Sequence, residues 1–150
     1  MREIATLAAL KELVGQEVAV SDWIEISQDQ VNRFADATGD HQWIHVDVER
    51  SKRELPYGGT IAHGFLTLSL LPLLLQQTIA MGEVRMLVNY GLNRVRFPTP
   101  LPVGRRVRGV INLLSVEDIA GGAQVVWEVT IECENNDKPV CVAEFIIRRY

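Results

Sequence analysis

The chain has 150 residues, of which 47% are hydrophobic and 23% are charged, and these values predict one soluble globular domain over residues 1–150. Its net charge of −4 disfavours sequence-independent binding of nucleic acid, which requires a basic face. The N-terminus lacks an apolar region with a cleavage site, so no secretory signal is predicted. Two cysteines outside any CxxC motif, Cys133 and Cys141, indicate reduced thiols and a cytoplasmic protein.

The sequence pattern in the first third of the chain predicts short helices around one strand. The pattern consists of amphipathic periodicity, a capping box, and glycines where helices end. The predicted elements are a helix over residues 4–14, a strand over 17–26, a helix from the capping box Ser27–Gln30 to about Gly39, and a short helical turn over 47–55.

The middle of the chain is apolar, with no Asp, Glu, Lys or Arg between Leu55 and Gly82. Apolar residues occupy most sides of a predicted helix over residues 63–80, so this helix must be surrounded by protein. Pro72 is expected to bend it, because proline removes a backbone donor. The uninterrupted apolar run covers only residues 70–75, well short of the roughly 20 residues that span a bilayer. We therefore predict no membrane insertion.

The second half changes to the period of two that is typical of strands. The predicted strands are 84–97, kinked at Gly91, then 105–116, 124–134 and 139–149. Because short turns join them, we expect an antiparallel sheet, and with the apolar helix this gives an α+β domain in which the sheet curls around the helix. A curved single sheet leaves free edges, which favours dimerisation.

The segment 37–47 is the densest in titratable groups, and Gly39 ends a helix, so Asp40–Ile44 is expected to be a loop. The five-residue step from Asp40 to His45 can bring both side chains to one water, as general acid–base chemistry requires. The alternative is that Asp40 caps the next turn and His45 has a structural role.

A metal site is a further alternative for this region. The candidate ligands are His41, His45 and Asp47, with His63 as a distant histidine. The chain has no HExxH motif, and we predict no metal.

A second cluster, 58–65, stands at the start of the apolar helix. Helix-start N–H groups lack internal partners and carry partial positive charge, so the N–H of Gly64 is a candidate donor to a thioester carbonyl. The alternative is that Thr60 caps the helix and His63 lies at its rim.

A third cluster covers residues 89–98. Asn89, Tyr90 and Asn93 are candidates for a polar passage. Five nearby arginines suit the phosphates of a nucleotide-bearing substrate, but strand alternation favours solvated outer faces for most of them. These arginines are Arg94, Arg96, Arg105, Arg106 and Arg108.

Three motifs occur in order along the chain: ATGDHQWIHVD (37–47), GGTIAHGF (58–65) and NYGLNRVRFPTPLPVG (89–104). On these motifs the chain resembles the MaoC-like (R)-specific enoyl-CoA hydratases, especially their nodulation-protein-N-like branch. The resemblance implies a hot-dog fold, with an antiparallel sheet around a long central helix, and a homodimer whose sheets join edge to edge.

The resemblance also implies reversible hydration of trans-2-enoyl-CoA to (R)-3-hydroxyacyl-CoA. Asp40 and His45 match the family's catalytic pair, and Gly64 matches the glycine that binds the thioester oxygen. Coenzyme A is then part of the substrate, and no other cofactor is required. We assign substrate binding to Ile61, Ala62, His63, Asn89, Tyr90, Asn93, Arg96 and Phe97.

The chain departs from the family pattern at two points. Many members have Asn-Pro between the aspartate and the histidine, where this chain has His41–Ile44. Some hydratases have a supporting serine on the central helix, where Pro72 stands here. The alternative functions are an acyl-CoA thioesterase, which would release free CoA, and a non-catalytic module that binds acyl thioesters.

Overall fold

The computed structural model describes residues 1–150 and contains eight strands and six helices. None of the helices has the length and apolarity needed to span a bilayer. In chain order the elements are β1 (Arg2–Ile4), α1 (Leu7–Lys11), β2 (Glu17–Val20), β3 (Ile24–Glu25), α2 (Gln28–Thr38), α3 (Trp43–Val46), α4 (Val48–Glu54), α5 (Gly64–Ser69), α6 (Leu71–Thr78), β4 (Ile79–Met81), β5 (Leu87–Arg96), β6 (Arg106–Ile119), β7 (Gly122–Cys133) and β8 (Cys141–Arg149).

The main sheet has six strands in the order β2-β6-β7-β8-β5, with β3 also paired to β6, and all its pairs are antiparallel. The predicted alternation is clearest in the central strand β7, where Val125, Trp127 and Val129 are buried. Trp127 lies opposite Phe145 of β8 and Leu113 of β6. The predicted antiparallel sheet is confirmed, and β6 continues beyond residue 116 because it forms a hairpin with β7.

The predicted helix over residues 63–80 is wrong in its continuity. The chain forms α5 and α6 with a break at Leu70, and Pro72 lies in the first turn of α6. Proline fits a first turn because the N–H it lacks has no partner there in any case. The last residues of the segment form β4, which pairs with β1 in parallel. Against the sheet, Leu74 of α6 lies over Gly109, where an added Cβ would be 3.1 Å from Leu74 Cδ1.

The N-terminal prediction is also partly wrong. Residues 2–4 form β1, and helix α1 begins only after Thr6, whose hydroxyl accepts from the N–H of Ala9 at 3.1 Å. Ile4 is buried because β1 adds to β4, a partner distant in sequence. The predicted strand 17–26 divides into β2 and β3, each paired with β6.

Helix α2 has the predicted ends. The hydroxyl of Ser27 accepts from the N–H of Gln30, and Gly39 terminates the helix with a φ of 82°, a left-handed conformation that glycine adopts without steric cost. The chain therefore turns sharply before Asp40. The expected loop is shorter than predicted, since α3 begins at Trp43.

Candidate active site

The turn after α2 delivers Asp40 to the surface of the domain. Its side chain is exposed, and its Oδ1 accepts from the N–H of Gln42 at 3.3 Å. This short-range hydrogen bond is of the kind by which aspartate stabilises turns. The carboxylate is therefore held beside the start of α3 and retains its other oxygen for a ligand.

His45 lies in α3 and is 7% exposed. Its Nδ1 is 2.6 Å from the carbonyl oxygen of Ile61, and because a carbonyl only accepts, Nδ1 carries the proton. Burial lowers the pKa of His45 below its usual value of 6.5, although the Ile61 hydrogen bond acts in the opposite direction. The neutral ring therefore presents Nε2 as an acceptor.

The backbone of His45 is fixed by a second set of hydrogen bonds. The side chain of Gln28 donates to the His45 carbonyl at 2.8 Å, and the hydroxyl of Thr60 donates to Gln28 Oε1 at 2.5 Å. In addition, the N–H of Ile61 donates to the carbonyl of Ile44 at 3.0 Å. Sequence reasoning missed Gln28, because nothing in its local pattern indicates a bond to a residue in another helix.

His63 is 3% exposed and lies under both groups. Its Nε2 is 3.0 Å from the backbone carbonyl oxygen of Asp40. Its ring stacks on that of His45, with centroids 3.9 Å apart and planes at 25°, and the ring of Phe34 packs against it at 4.9 Å. Its Nδ1 is buried and has no hydrogen-bond partner.

The Asp40 carboxylate and the rings of His45 and His63 each offer an atom, and these atoms lie within 4.8 Å of one another. This spacing brings together the predicted pair Asp40 and His45, and it suits one water held between two acceptors. The same three atoms have the chemistry of a metal site. However, one nitrogen of each histidine is already bonded to a carbonyl.

The metal-ligand set considered from the sequence is not assembled. His41 bonds to Asp36 at 2.9 Å, which raises the pKa of His41, and the side chain of Asp47 caps α4 by accepting from the N–H of Arg50. His41 and Asp47 are therefore engaged away from His45.

Gly64 directly follows His63 and is the first residue of α5, so its N–H has no acceptor within the helix. A Cβ at this position would lie 3.2 Å from the ring of Phe97. Phe97 therefore covers Gly64, and the end of β5 meets the start of α5. The backbones of Ile61 and Ala62 bond to Ile44 and Leu101, so both residues connect this region to neighbouring segments.

The remaining predicted residues lie along β5 and are exposed. Arg148 stacks its guanidinium 3.5 Å from the ring centroid of Tyr90, and Asn89 lines an apolar cavity of about 600 Å³ between α6 and β5. Neither Asn93 nor Arg96 forms a hydrogen bond with Asp40 or His45, and the Arg96 guanidinium instead donates to the Val95 carbonyl. Of the arginines, Arg106 and Arg108 form ion pairs with Glu134 and Glu132 across the sheet, as outward-facing strand residues do.

The chain is similar in sequence and in fold to proteins of known class. A family model described as MaoC like domain matches residues 9–136. The chain is 52% identical over 149 residues to 3-hydroxyacyl-thioester dehydratase Z of Mycobacterium tuberculosis, covering 99% of this chain and 98% of that protein. It is 46% identical to Nodulation protein N of Rhizobium leguminosarum bv. viciae, covering 97% and 91%. Among solved structures, an (R)-hydratase from A. caviae involved in PHA biosynthesis matches with a TM-score of 0.71 at 19% identity, covering 89% and 94%.

The chain belongs to the MaoC-like dehydratase family. The predicted hot-dog fold is confirmed, with the qualification that two short helices replace one long central helix. The predicted enzyme class, a hydro-lyase, is also confirmed.

Proposed function

We propose that this protein reversibly hydrates trans-2-enoyl-CoA to (R)-3-hydroxyacyl-CoA. The observation that carries the proposal is the convergence of an Asp40 carboxylate oxygen and a His45 nitrogen within 4.8 Å, with the tautomer of His45 set by Ile61. The names of two similar proteins, a 3-hydroxyacyl-thioester dehydratase and an (R)-hydratase, support the same reaction.

The two acceptors determine how a water molecule is oriented. If Asp40 and His45 Nε2 each accept one of its hydrogens, a lone pair of its oxygen points away from both and toward the substrate. The oxygen then attacks the β carbon of the enoyl thioester, one proton passes to an acceptor, and the same proton is returned to the α carbon. Addition from one face accounts for a single stereoisomer. The β carbon gains the hydroxyl and the α carbon gains the proton of one water molecule, so no electron acceptor is needed.

Gly64 supplies the third element of the proposed mechanism. As electrons move from the double bond to the thioester oxygen, negative charge develops on that oxygen. The free N–H at the start of α5 suits this charge, and donors of this kind typically contribute about 10²–10³-fold to kcat. The apolar cavity of about 600 Å³ between α6 and β5 offers a place for an acyl chain, and no charged residue lines it.

We also propose that the active form is a homodimer. Strand β5 is one end of the main sheet, and large apolar side chains on and next to it are exposed, among them Met86, Val88, Tyr90 and Leu92. An apolar free edge of this length favours pairing with another chain. Light scattering should give the mass of a dimer, and lysine at both Val88 and Leu92 should reduce it toward a monomer. Lysine at Val14, which is also exposed but lies away from β5, is the control.

The function is tested with crotonyl-CoA by following loss of the enoyl-thioester absorbance. Asp40→Asn and His45→Gln should each lower kcat by about 10²–10⁴-fold. Matched controls are Asp36→Asn and His41→Gln, which remove the same groups from an exposed pair beside the site and should retain wild-type rates. Near-full activity in both site variants, with folding intact, would refute the assignment.

The same reaction mixtures separate the alternative functions. A thioesterase would release free CoA, which a thiol reagent detects, and a binding module would bind crotonyl-CoA without converting it. We expect conversion without CoA release.

A further inference from the structure

His63 occupies the space beneath the two proposed water-activating groups. Asp40 and His45 belong to different segments, and no hydrogen bond joins their side chains directly. Asp40 is exposed on a turn and His45 is buried in a four-residue helix. His63 contacts both residues, through the backbone carbonyl of Asp40 and the ring of His45.

The hydrogen bonds of His63 determine where its proton lies. Nε2 faces the Asp40 carbonyl at 3.0 Å, and because that oxygen can only accept, Nε2 carries the hydrogen. Nδ1 is buried without a partner, and the residue is 3% exposed. A ring with its N–H engaged by the backbone and no route to solvent is a poor donor or acceptor for substrate protons.

The ring also limits the movement of His45. The two imidazoles stack at 3.9 Å, and the ring of Phe34 packs against His63 at 4.9 Å. Protons on both stacked rings would repel each other, so the contact with His63 adds to the effect of burial in lowering the pKa of His45. The stack therefore favours the neutral ring that the proposed mechanism uses.

The position of His63 in the chain extends this argument to Gly64. His63 immediately precedes α5, so the residue that donates to Asp40 also fixes the backbone that leads into the Gly64 N–H. One buried side chain thus connects the turn carrying the carboxylate, the helix carrying the base and the start of the helix carrying the oxyanion donor.

We propose that His63 is a positioning residue, which holds Asp40 through its Nε2–H and His45 through its ring. This inference rests on the proposed hydratase function. It assigns to His63 a role in aligning the groups that hold water, in place of the direct substrate contact expected from the sequence.

Two variants divide the features of His63. His63→Gln retains an amide N–H near the position of Nε2 but lacks the ring, whereas His63→Phe retains the ring but lacks the donor. Since a displacement of about 1 Å can cost about 10²-fold in rate, we expect His63→Phe to lower kcat for crotonyl-CoA by about that factor. The KM should change less than about twofold. His63→Gln should recover about tenfold of the lost kcat through the bond to Asp40, but stay below wild type because it lacks the ring that stacks on His45.

A role in packing alone predicts a different order. The apolar ring of phenylalanine fills the site better than glutamine, so His63→Phe would then be the more stable and more active variant. That order, or wild-type kcat in both variants, would overturn the proposal. Thermal unfolding of both proteins accompanies the kinetics.

A measurement on the unmodified protein applies even if neither variant folds. The chain has three histidines, so long-range imidazole ¹H–¹⁵N spectra resolve each ring. The proposal predicts a proton on Nε2 of His63 and on Nδ1 of His45, and an unprotonated Nε2 in His63 would overturn it. This spectrum does not depend on substrate, so failure of the wild type to hydrate crotonyl-CoA would count against the proposed function and not against the positioning role.

Discussion

Replacing His45 with asparagine separates two roles of its ring, the hydrogen bond that holds it to Ile61 and the nitrogen proposed to accept a proton from water. In the native protein Nδ1–H donates to the Ile61 carbonyl at 2.6 Å, and Nε2 is the free acceptor. The amide nitrogen of asparagine occupies a position close to that of Nδ1, so His45→Asn retains the bond to Ile61 and removes the acceptor. His45→Leu removes both.

The expected magnitudes follow from these contacts. His45→Asn loses the stack on His63, and aromatic pairs contribute about 0.5–1.5 kcal/mol beyond the area they bury. With the smaller side-chain volume we expect a loss of roughly 1–3 kcal/mol in the free energy of unfolding, which corresponds to about 3–10 °C in Tm. His45→Leu also leaves the Ile61 carbonyl unpaired, which costs about a further 1–3 kcal/mol. Both variants should lose about 10²–10⁴-fold in kcat.

The assay combines thermal unfolding with crotonyl-CoA hydration in both variants. If His45→Leu is as stable as His45→Asn, the bond to Ile61 does not have the assigned role. If His45→Asn retains more than about a tenth of wild-type kcat, Nε2 of His45 is not the group that general acid–base catalysis requires.

Three further predictions concern His45, Gln28 and Cys141. Burial lowers the pKa of His45 below 6.5, so just below pH 6.5 the unfolded chain binds more protons than the folded one, and the contribution of His45 to stability is lost as the pH falls. The Tm of His45→Asn should therefore decline less steeply below pH 6.5 than the Tm of wild type. Equal slopes would contradict the lowered pKa. Gln28→Leu removes the hydrogen-bond partner of the His45 carbonyl, and it should lower the free energy of unfolding by about 1–3 kcal/mol. It should also lower kcat by a larger factor than it changes KM. Unchanged stability in a denaturant titration would argue against the bond. Burial raises the pKa of Cys141 to about 11, so a thiol reagent should label it at neutral pH only after denaturation, and rapid labelling of the native protein would contradict its burial.

The parts of the fold that sequence predicted were those specified by neighbouring residues. The alternation around Trp127 defines a strand with one buried face, and Ser27 and Gly39 define the ends of α2. The short step from Asp40 to His45 allowed the two side chains to meet, and the resemblance to MaoC-like hydratases identified them as the candidate pair. These features depend on contacts within a few residues.

The predictions that failed depended on distant partners. Ile4 was assigned to the first helix, but it ends strand β1, which pairs with the distant β4. Pro72 was expected to bend a continuous helix, and the helical segment instead divides at Leu70, two residues before it. The bonds from Gln28 and His63 to the site join residues far apart in sequence, and no local pattern indicates them.

Identification of the product shows whether the protein adds one water across the double bond of an enoyl thioester. The wild-type protein would be incubated with crotonyl-CoA in ¹⁸O-labelled water, and the product analysed by mass spectrometry and chiral chromatography. We expect (R)-3-hydroxybutyryl-CoA with one labelled oxygen at the β carbon. Labelled crotonate with free CoA, the (S) isomer, or unchanged substrate would rule out the proposed (R)-specific hydration.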